Sequence, residues 1–514
     1  MIAAIATAPG GAIGIVRASG KGIVELTERL LLTKDLLPHP ALKAGRVSFG
    51  IFHDPEKGEN VDEVLVSTFR APHSYTGEDS VEISCHASPY ILQRVLSTMI
   101  KAGCRLAKPG EFTETAYLNH RMDLSQAEAV ADLIASQTEA QHRIAMQQMR
   151  GGLSAELKAL REKLLHVASL LELELDFSDH EDLEFADRSE LQQLMDEVTH
   201  KVEKLAKSFA AGNAIKEGVP VAIVGPTNAG KSTLLNGLVG EERAIVSDIH
   251  GTTRDFIEDS TVIGGINFRF IDTAGLRSTD DPIESIGIER SYGKARDASV
   301  VVLMLDISEA ISRFQEIAPT LLPIISKDKH FIVLLNKADL IGNKKEASEI
   351  EKTFPVKGEF FSVKEKTISV KGETGTGAGK TAPIPEKTAP DAGKPGTVIE
   401  KIKSIAENSG STIDEIRFVS AQSPSDIIEI KRLLRSLIPT ADTGVTIANA
   451  RHHGALLLAL DDISRARQSL SAGLSADLIS EDLRACTSHL AEICGEITSD
   501  QTLQNIFKHF CVGK

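Results

Sequence analysis

The sequence predicts a multidomain chain that joins α+β, all-α and α/β parts. Short alternating apolar runs fill its beginning, and two widely separated stretches carry apolar residues at steps of three and four. Between those stretches, apolar strands alternate with helical segments around a glycine-rich loop. We therefore expect an N-terminal α+β domain over 1–118 and a discontinuous all-α domain over 119–214 and 442–514. An α/β domain is expected to be inserted at 215–441. Insertion is favoured where chain ends lie close together at a surface.

Each part has its own signal. Met1-Ile2-Ala3-Ala4-Ile5-Ala6 is apolar but lacks a basic leader and soon meets Pro9-Gly10-Gly11, so it reads as a first strand. Glu63–Val66 and Val81–Ser84 alternate like strands, and a helix is expected near 89–102. Leu153, Leu157, Leu160, Leu164, Val167 and Leu171 form a helix-packing stripe. Leu191, Leu194, Val198, Val202, Leu205 and Phe209 repeat it behind a capping box, Ser189 with Gln192. Strands are expected at 219–224, 268–271, 300–305 and 331–335, as in a parallel sheet. Ile479, Leu483, Cys486, Leu490, Ile493 and Ile497 share one face of a late helix. Lys, Gly, Thr and Pro dominate about 355–410, which reads as a flexible insertion.

Composition bounds the function. The 514 residues carry a net charge of −15, which speaks against broad nucleic-acid binding without a local basic patch. No apolar run approaches the ~18 residues that would span a membrane, so none is expected to do so. Five cysteines without metal or framework spacing suit a reducing cytoplasm. Cys486 and Cys494 fall on or beside the helical stripe and are expected in the core. His452 and His453 are neighbours on a predicted helix, point apart as a poor metal pair, and are expected at the surface.

The glycine-rich loop is Gly225-Pro226-Thr227-Asn228-Ala229-Gly230-Lys231-Ser232, between the strand Val221–Val224 and a helix opening at Thr233. Strand, loop and helix in that order form a phosphate-binding P-loop, whose backbone N–H groups, helix N-terminus and lysine cradle anionic oxygens. Gly375–Thr381 imitates the motif, but Thr374 stands where its first glycine is needed and no buried strand precedes it. Downstream, Gly251-Thr252-Thr253 offers a hydroxyl for Mg²⁺, and Asp272-Thr273-Ala274-Gly275 a carboxylate and a phosphate-sensing N–H. Ser232, Thr253 and Asp272 make the expected Mg²⁺ set. Asn336-Lys337-Ala338-Asp339 offers a carboxylate for the guanine edge, and Ser420-Ala421 a backbone contact to the base. The constellation specifies GTP. Leu276 occupies the place where many such sites keep a water-orienting glutamine, and Glu284 is the candidate substitute.

Motifs outside this site extend the reading. Ile13-Gly14-Ile15-Val16-Arg17, Ser74-Tyr75-Thr76-Gly77-Glu78-Asp79, Lys108-Pro109-Gly110-Glu111-Phe112-Thr113, Arg121-Met122-Asp123-Leu124-Ser125-Gln126-Ala127-Glu128-Ala129 and the ending Cys511-Val512-Gly513-Lys514 resemble the MnmE (TrmE) family of tRNA modification GTPases over nearly the whole chain. The resemblance implies an N-terminal folate-binding and dimerisation domain, a helical domain and a G domain. It implies a homodimer that acts with the flavoprotein MnmG on the wobble uridine of certain tRNAs, using a 5-formyl or 5,10-methylene tetrahydrofolate derivative as one-carbon donor. Arg17, Glu82, Arg121 and Lys514 would hold the folate, and Cys511 would take part in the uridine chemistry. The resemblance also implies K⁺ held by Asn228, Ser247, Ile249 and Thr252, a nucleotide lined by Asn228–Thr233 and by Ser247, Asp248, Ile249, His250 and Gly251, and Glu284 as the residue that orients water.

Three departures stand out: Thr227 in place of a proline, His86-Ala87-Ser88 in place of a glycine-rich stretch, and the insertion before Ser420. The alternative reading, a GTPase switch in ribosome assembly, would call for a basic RNA-binding domain after the α/β part. The chain ends instead in helices and Cys-Val-Gly-Lys.

Overall fold

The computed structural model describes the chain apart from residues 9, 177–187, 241–258, 272–294, 326–328, 341–394, 440–443, 498, 509 and 514. It divides into two compact units, Met1–Lys216 with Pro439–Lys514, and Glu217–Ile438.

The first unit opens with strands β1 (Ile2–Ile5), β2 (Ile13–Ser19), β3 (Leu31–Leu32), β4 (Val47–Asp54), β5 (Glu59–Phe69), β6 (Ser80–His86) and β7 (Arg105–Leu106). They form one sheet in the order β3-β4-β5-β6-β2-β1-β7. Alternation decides its faces. Val81, Ile83 and Cys85 point into a core with Val16, Ala18, Val64 and Val66, while Glu82 and Arg17 fall on the other side. Helix Pro89–Lys101 covers the apolar face through Leu92, Val95, Leu96 and Met99, with Pro89 preset for its first turn.

The helical remainder of this unit is one core built from both ends of the sequence. Leu153, Leu157, Leu160 and Leu164 of helix Gly152–Asp176 pack with Leu191, Val198 and Val202 of helix Arg188–Lys207. Ile463 of helix Ala450–Ser471 and Leu483, Cys486 and Leu490 of helix Ala476–Cys494 join the same cluster. Helices Leu124–Ala135 and Glu139–Met149 each open on a complete capping box, Asp123 with Gln126 and Thr138 with Gln141. Such caps contribute about 1 kcal/mol each.

Five sequence readings need correction. The flexible insertion expected at about 355–410 is in part ordered: Pro395–Asn408 is a helix whose Val398, Ile402 and Ala406 are buried in the core of the second unit, because this last stretch carries apolar residues at helical spacing. The helix is already under way at Arg188, so Ser189 lies inside it and does not cap it. Helix Arg188–Lys207 ends before Phe209, which opens helix Phe209–Glu217; the Ser208 hydroxyl donates to Leu205 O and accepts from Ile447 N–H. Ile497 is exposed, because Gly495 ends its helix in the left-handed region at φ 81°. His452 is fully buried, and His453 stacks on Phe209 with ring centroids 4.2 Å apart. A buried hydrogen bond to Glu128 at 2.7 Å holds His452 inside.

The second unit is a six-stranded sheet of β8 (Val219–Val224), β9 (Asp259–Ile263), β10 (Ile266–Phe270), β11 (Val300–Asp306), β12 (His330–Asn336) and β13 (Glu415–Phe418), ordered β13-β12-β11-β8-β10-β9. β8 and β10 to β13 pair in parallel, and β11 and β12 are apolar and buried along their length. The four strands expected as a parallel sheet do pair in parallel, and β9 is a further strand outside those expected. It runs antiparallel to β10 through Gly264-Gly265, whose φ values of 57° and 82° suit a two-residue hairpin turn.

Candidate functional site

β8 delivers the chain to Gly225, where φ is 146° and a Cβ would strike the Met304 carbonyl oxygen. Only glycine fits there. Asn228 follows at φ 60° and Gly230 at φ 99°, and helix Lys231–Val239 then begins. The loop thus turns through three residues of positive φ, the kind of backbone that can form an anion-binding concavity. Lys231 Nζ donates to the carbonyls of Gly225 at 2.8 Å and Pro226 at 2.6 Å. Burial pushes its ammonium pKa down. Thr233, two residues on, is exposed.

Asn336 ties this loop to the far side of the site. It ends β12, is 4% exposed, donates from Nδ2 to Ala229 O at 2.7 Å and accepts the Ala421 N–H at 2.9 Å. A Cβ on Gly230 would collide with the same amide. Ser420 N–H goes to Asp426 Oδ2 at 2.7 Å, so both backbone donors expected near a base are already oriented by side chains. Lys337 holds φ 63°, and Asp339 is exposed on the short turn Ala338–Leu340. At the other strand, Ile271 N–H bonds Val221 O, bringing the chain beside β8 immediately before Asp272. Asp272, Thr273, Ala274, Gly275, Glu284 and the segment Ser247, Asp248, Ile249, His250, Gly251, Thr252 and Thr253 lie outside the described residues, as do residues 355–394 of the insertion and the imitation motif Gly375–Thr381.

A second constellation sits on the open face of the N-terminal sheet. Arg17 and Glu82 face each other in the β2–β6 register, and Arg17 donates twice to Glu82 Oε1, at 3.0 and 2.8 Å. The guanidinium lies 5.7 Å from the Tyr75 ring centroid and 5.8 Å from that of Phe112. Its remaining arm donates to Gly513 O at 3.2 Å, so the C-terminal tail reaches this group. Gly513, at φ 88°, has no room for a Cβ against Ile5 O, and the Cys511 carbonyl accepts the Gly110 N–H. Arg121 lies against Gly77, whose loop Asn119 fixes by donating to Thr76 O at 2.7 Å. Cys511 is exposed, the other four cysteines are buried, and Lys514 lies outside the described residues. His86, at one of the departures, pairs with Asp62 at 2.8 Å.

Sequence reading missed the aromatic walls around Arg17 as a site feature, although Tyr75 and Phe112 stand inside the motifs that drew attention. It also missed Asp306, whose carboxylate meets Lys337 Nζ at 2.7 Å. Its signal was its place at the end of an apolar strand beside the P-loop strand. Among the described residues no group of three or more His, Cys, Asp or Glu side chains is placed to hold a metal, and no helix is long and apolar enough to cross a membrane.

Comparison with known proteins adds a family. The description "GTP-binding protein TrmE N-terminus" matches residues 1–121, and "MnmE helical domain" matches residues 124–511. The chain is 47% identical over 529 residues to the tRNA modification GTPase MnmE of Bacteroides thetaiotaomicron, covering 100% of this chain and 99% of that one. It is 48% identical over 524 residues to the protein of that name from Bacteroides fragilis, again covering 100% and 99%. With its counterpart in Porphyromonas gingivalis the identity is 44% over 529 residues, covering 100% and 98%.

Proposed function

The chain belongs to the tRNA modification GTPase MnmE family, and from that premise we propose that it hydrolyses GTP in residues 215–441 to drive modification of tRNA. One observation carries the nucleotide part: Asn336 links the phosphate loop at Ala229 to the base-side loop at Ala421, with Asp339 three residues on. In this reading Asn228 to Thr233 surround the phosphates, Asp339 selects guanine, and Ser232, Thr253 and Asp272 hold Mg²⁺, which would neutralise charge on the phosphates. K⁺ would sit on Asn228, Ser247, Ile249 and Thr252, and the left-handed backbone of Asn228 suits a side chain turned toward the loop. Leu276 cannot align water, so Glu284 is assigned that task. In a GTPase assay, hydrolysis should run many times faster in potassium than in sodium, and Glu284→Ala should slow turnover by about a hundredfold while GDP affinity holds. Equal rates in both salts would remove K⁺, and a wild-type rate would remove Glu284.

The tRNA part of the proposal rests on the first unit. Residues 1–118 would bind a tetrahydrofolate derivative through Arg17, Glu82, Arg121 and Lys514, and the paired Arg17 and Glu82 beside Tyr75 and Phe112 support a flat, polar-edged ligand there. When bound, the folate would supply a one-carbon unit for carbon 5 of the wobble uridine, with the flavoprotein MnmG as partner and Cys511 beside the chemistry. Residues 119–214 and 442–514 would form the helical domain. A homodimer is supported by exposed Val47, Phe49, Leu65 and Phe69 on the open sheet face, where Phe49 stands opposite Leu65. Register carries that face through Ser67 to Glu82 and Arg17. Five free cysteines accord with work in the cytoplasm. The deciding experiment is nucleoside analysis of tRNA from cells lacking the protein. Loss of a modified wobble uridine is expected; an unchanged nucleoside profile would reject the reading.

A further inference from the structure

β11 and β12 run in parallel, and their last paired residues are Asp306 and Asn336. Asn336 is held on both sides, so the position of its backbone is fixed. The next residue, Lys337, takes φ 63°, a left-handed conformation that a non-glycine residue adopts at a cost of roughly 1 kcal/mol. Its side chain leaves the strand end toward Asp306, and Nζ meets Oδ2 at 2.7 Å.

The two oxygens of Asp306 do different things. Oδ1 accepts the Ser308 N–H at 3.0 Å and the Ser308 hydroxyl at 2.8 Å, closing the turn Ile307–Glu309. Oδ2 takes the lysine. Both groups are partly open to water, with side-chain exposures of 25% for Asp306 and 37% for Lys337. A free lysine carries about 2 kcal/mol of rotamer entropy, and a tether at its tip removes much of that freedom before any ligand arrives.

We propose that Asp306 is a positioning residue for guanine-nucleotide binding, holding the four-carbon stem of Lys337 extended at the strand end as a preformed surface for the nucleotide. The inference rests on the guanine-site reading above and adds a residue to it. Asp306 touches neither base nor phosphate in this role. It acts through Lys337, and it affects binding of GDP and GTP alike. Since both states of the reaction gain equally, the KM for GTP depends on Asp306 and kcat does not.

The two roles of the carboxylate can be separated by substitution. Asp306→Asn keeps an oxygen for Ser308 but turns an N–H₂ toward the ammonium, so the turn survives and the tether is lost. Lys337→Met keeps an apolar stem and removes the charge. Titration of full-length protein with a fluorescent GDP derivative should show D306N binding about fivefold more weakly, the range expected for a half-exposed ion pair. Melting temperature and saturating GTP turnover should stay at wild-type values, and Asp306→Glu should recover part of the affinity. In a K337M background, D306N should change affinity by less than about twofold, because the partner is already gone. Wild-type affinity in D306N, or an equal loss with and without Lys337, would overturn the proposal. A wild-type chain that failed to bind GDP would instead overturn the guanine-site reading, and this inference with it.

Discussion

Asn336→Ala is expected to weaken GDP binding by about a hundredfold, a larger effect than removal of any single surface charge in the second unit. The residue bonds two backbone groups that belong to different loops, the Ala229 carbonyl and the Ala421 N–H. Both bonds are buried, so alanine leaves an acceptor and a donor without partners where water has little access. Each such loss costs about 1–3 kcal/mol. The damage also falls on geometry, because Ala229 lies within the phosphate loop and Ala421 within the base-side loop. Fluorescent GDP titration measures the effect, with far-ultraviolet circular dichroism to verify that the sheet persists. Asn336→Asp retains the acceptor for Ala421 but faces the Ala229 carbonyl with a second oxygen, so it should be no better than alanine. Binding of wild-type strength in either variant would show that the two loops are positioned by something else.

The residues that made this prediction possible were readable before the structure. Strands β8, β10, β11 and β12 announced themselves as apolar runs, and the motifs fell at their ends because a parallel sheet delivers its loops to one edge. What could not be read were pairings at long range. Asn336 shows this: its spacing from Asp339 suggested recognition of a base, but nothing local tells that its amide reaches back 107 positions to Ala229. β9 is a different kind of omission. Gly264-Gly265 between Thr261-Val262-Ile263 and Ile266 is an ordinary hairpin signal, outside the alternation of strand and helix on which the α/β reading rests.

The histidines illustrate how charge overrides pattern. Two neighbouring polar residues on a helix are expected at solvent, since a buried imidazole needs a partner and none stands nearby in sequence. That partner is Glu128, 324 positions away. The same limit applies to the C-terminus. Its motif resemblance pointed to the folate group, but the bond from Arg17 to Gly513, 496 positions apart, is a property of the fold.

Glu128→Ala is expected to destabilise the first unit by about 3–5 kcal/mol, the usual result of removing one member of a buried ion pair. Glu128 Oε2 accepts from His452 Nε2 at 2.7 Å and from Arg451 at 2.8 Å, while Oε1 accepts from Arg451 Nε at 3.0 Å. Burial alone would raise the carboxyl pKa. His452 and Arg451 more than offset that, and hold it at about 2. An ionised carboxylate only accepts, so the imidazole proton belongs on Nε2. Arg451 also donates to Glu492 O at 2.9 Å and Ile493 O at 3.0 Å, stitching the end of helix Ala476–Cys494 to helix Leu124–Ala135. Immediately beyond, the Gly495 carbonyl accepts from Tyr117 Oη at 2.6 Å, and Phe507 and Phe510 pack on Leu124 and Ala127. The chain then runs to Gly513 and Arg17. Loss of Glu128 should therefore lower the melting transition of the first unit and loosen the tail, while GDP binding by the second unit persists. The sign with pH follows from the depressed pKa: the contribution is complete above the ordinary glutamate value of about 4.5 and disappears as pH falls toward about 2. Calorimetry of the wild type and E128A should show a gap that is wide at pH 7 and closes through that acid range. A gap that is absent at pH 7, or that stays constant into acid, would mean that apolar packing and not this ion pair joins the two ends of the chain.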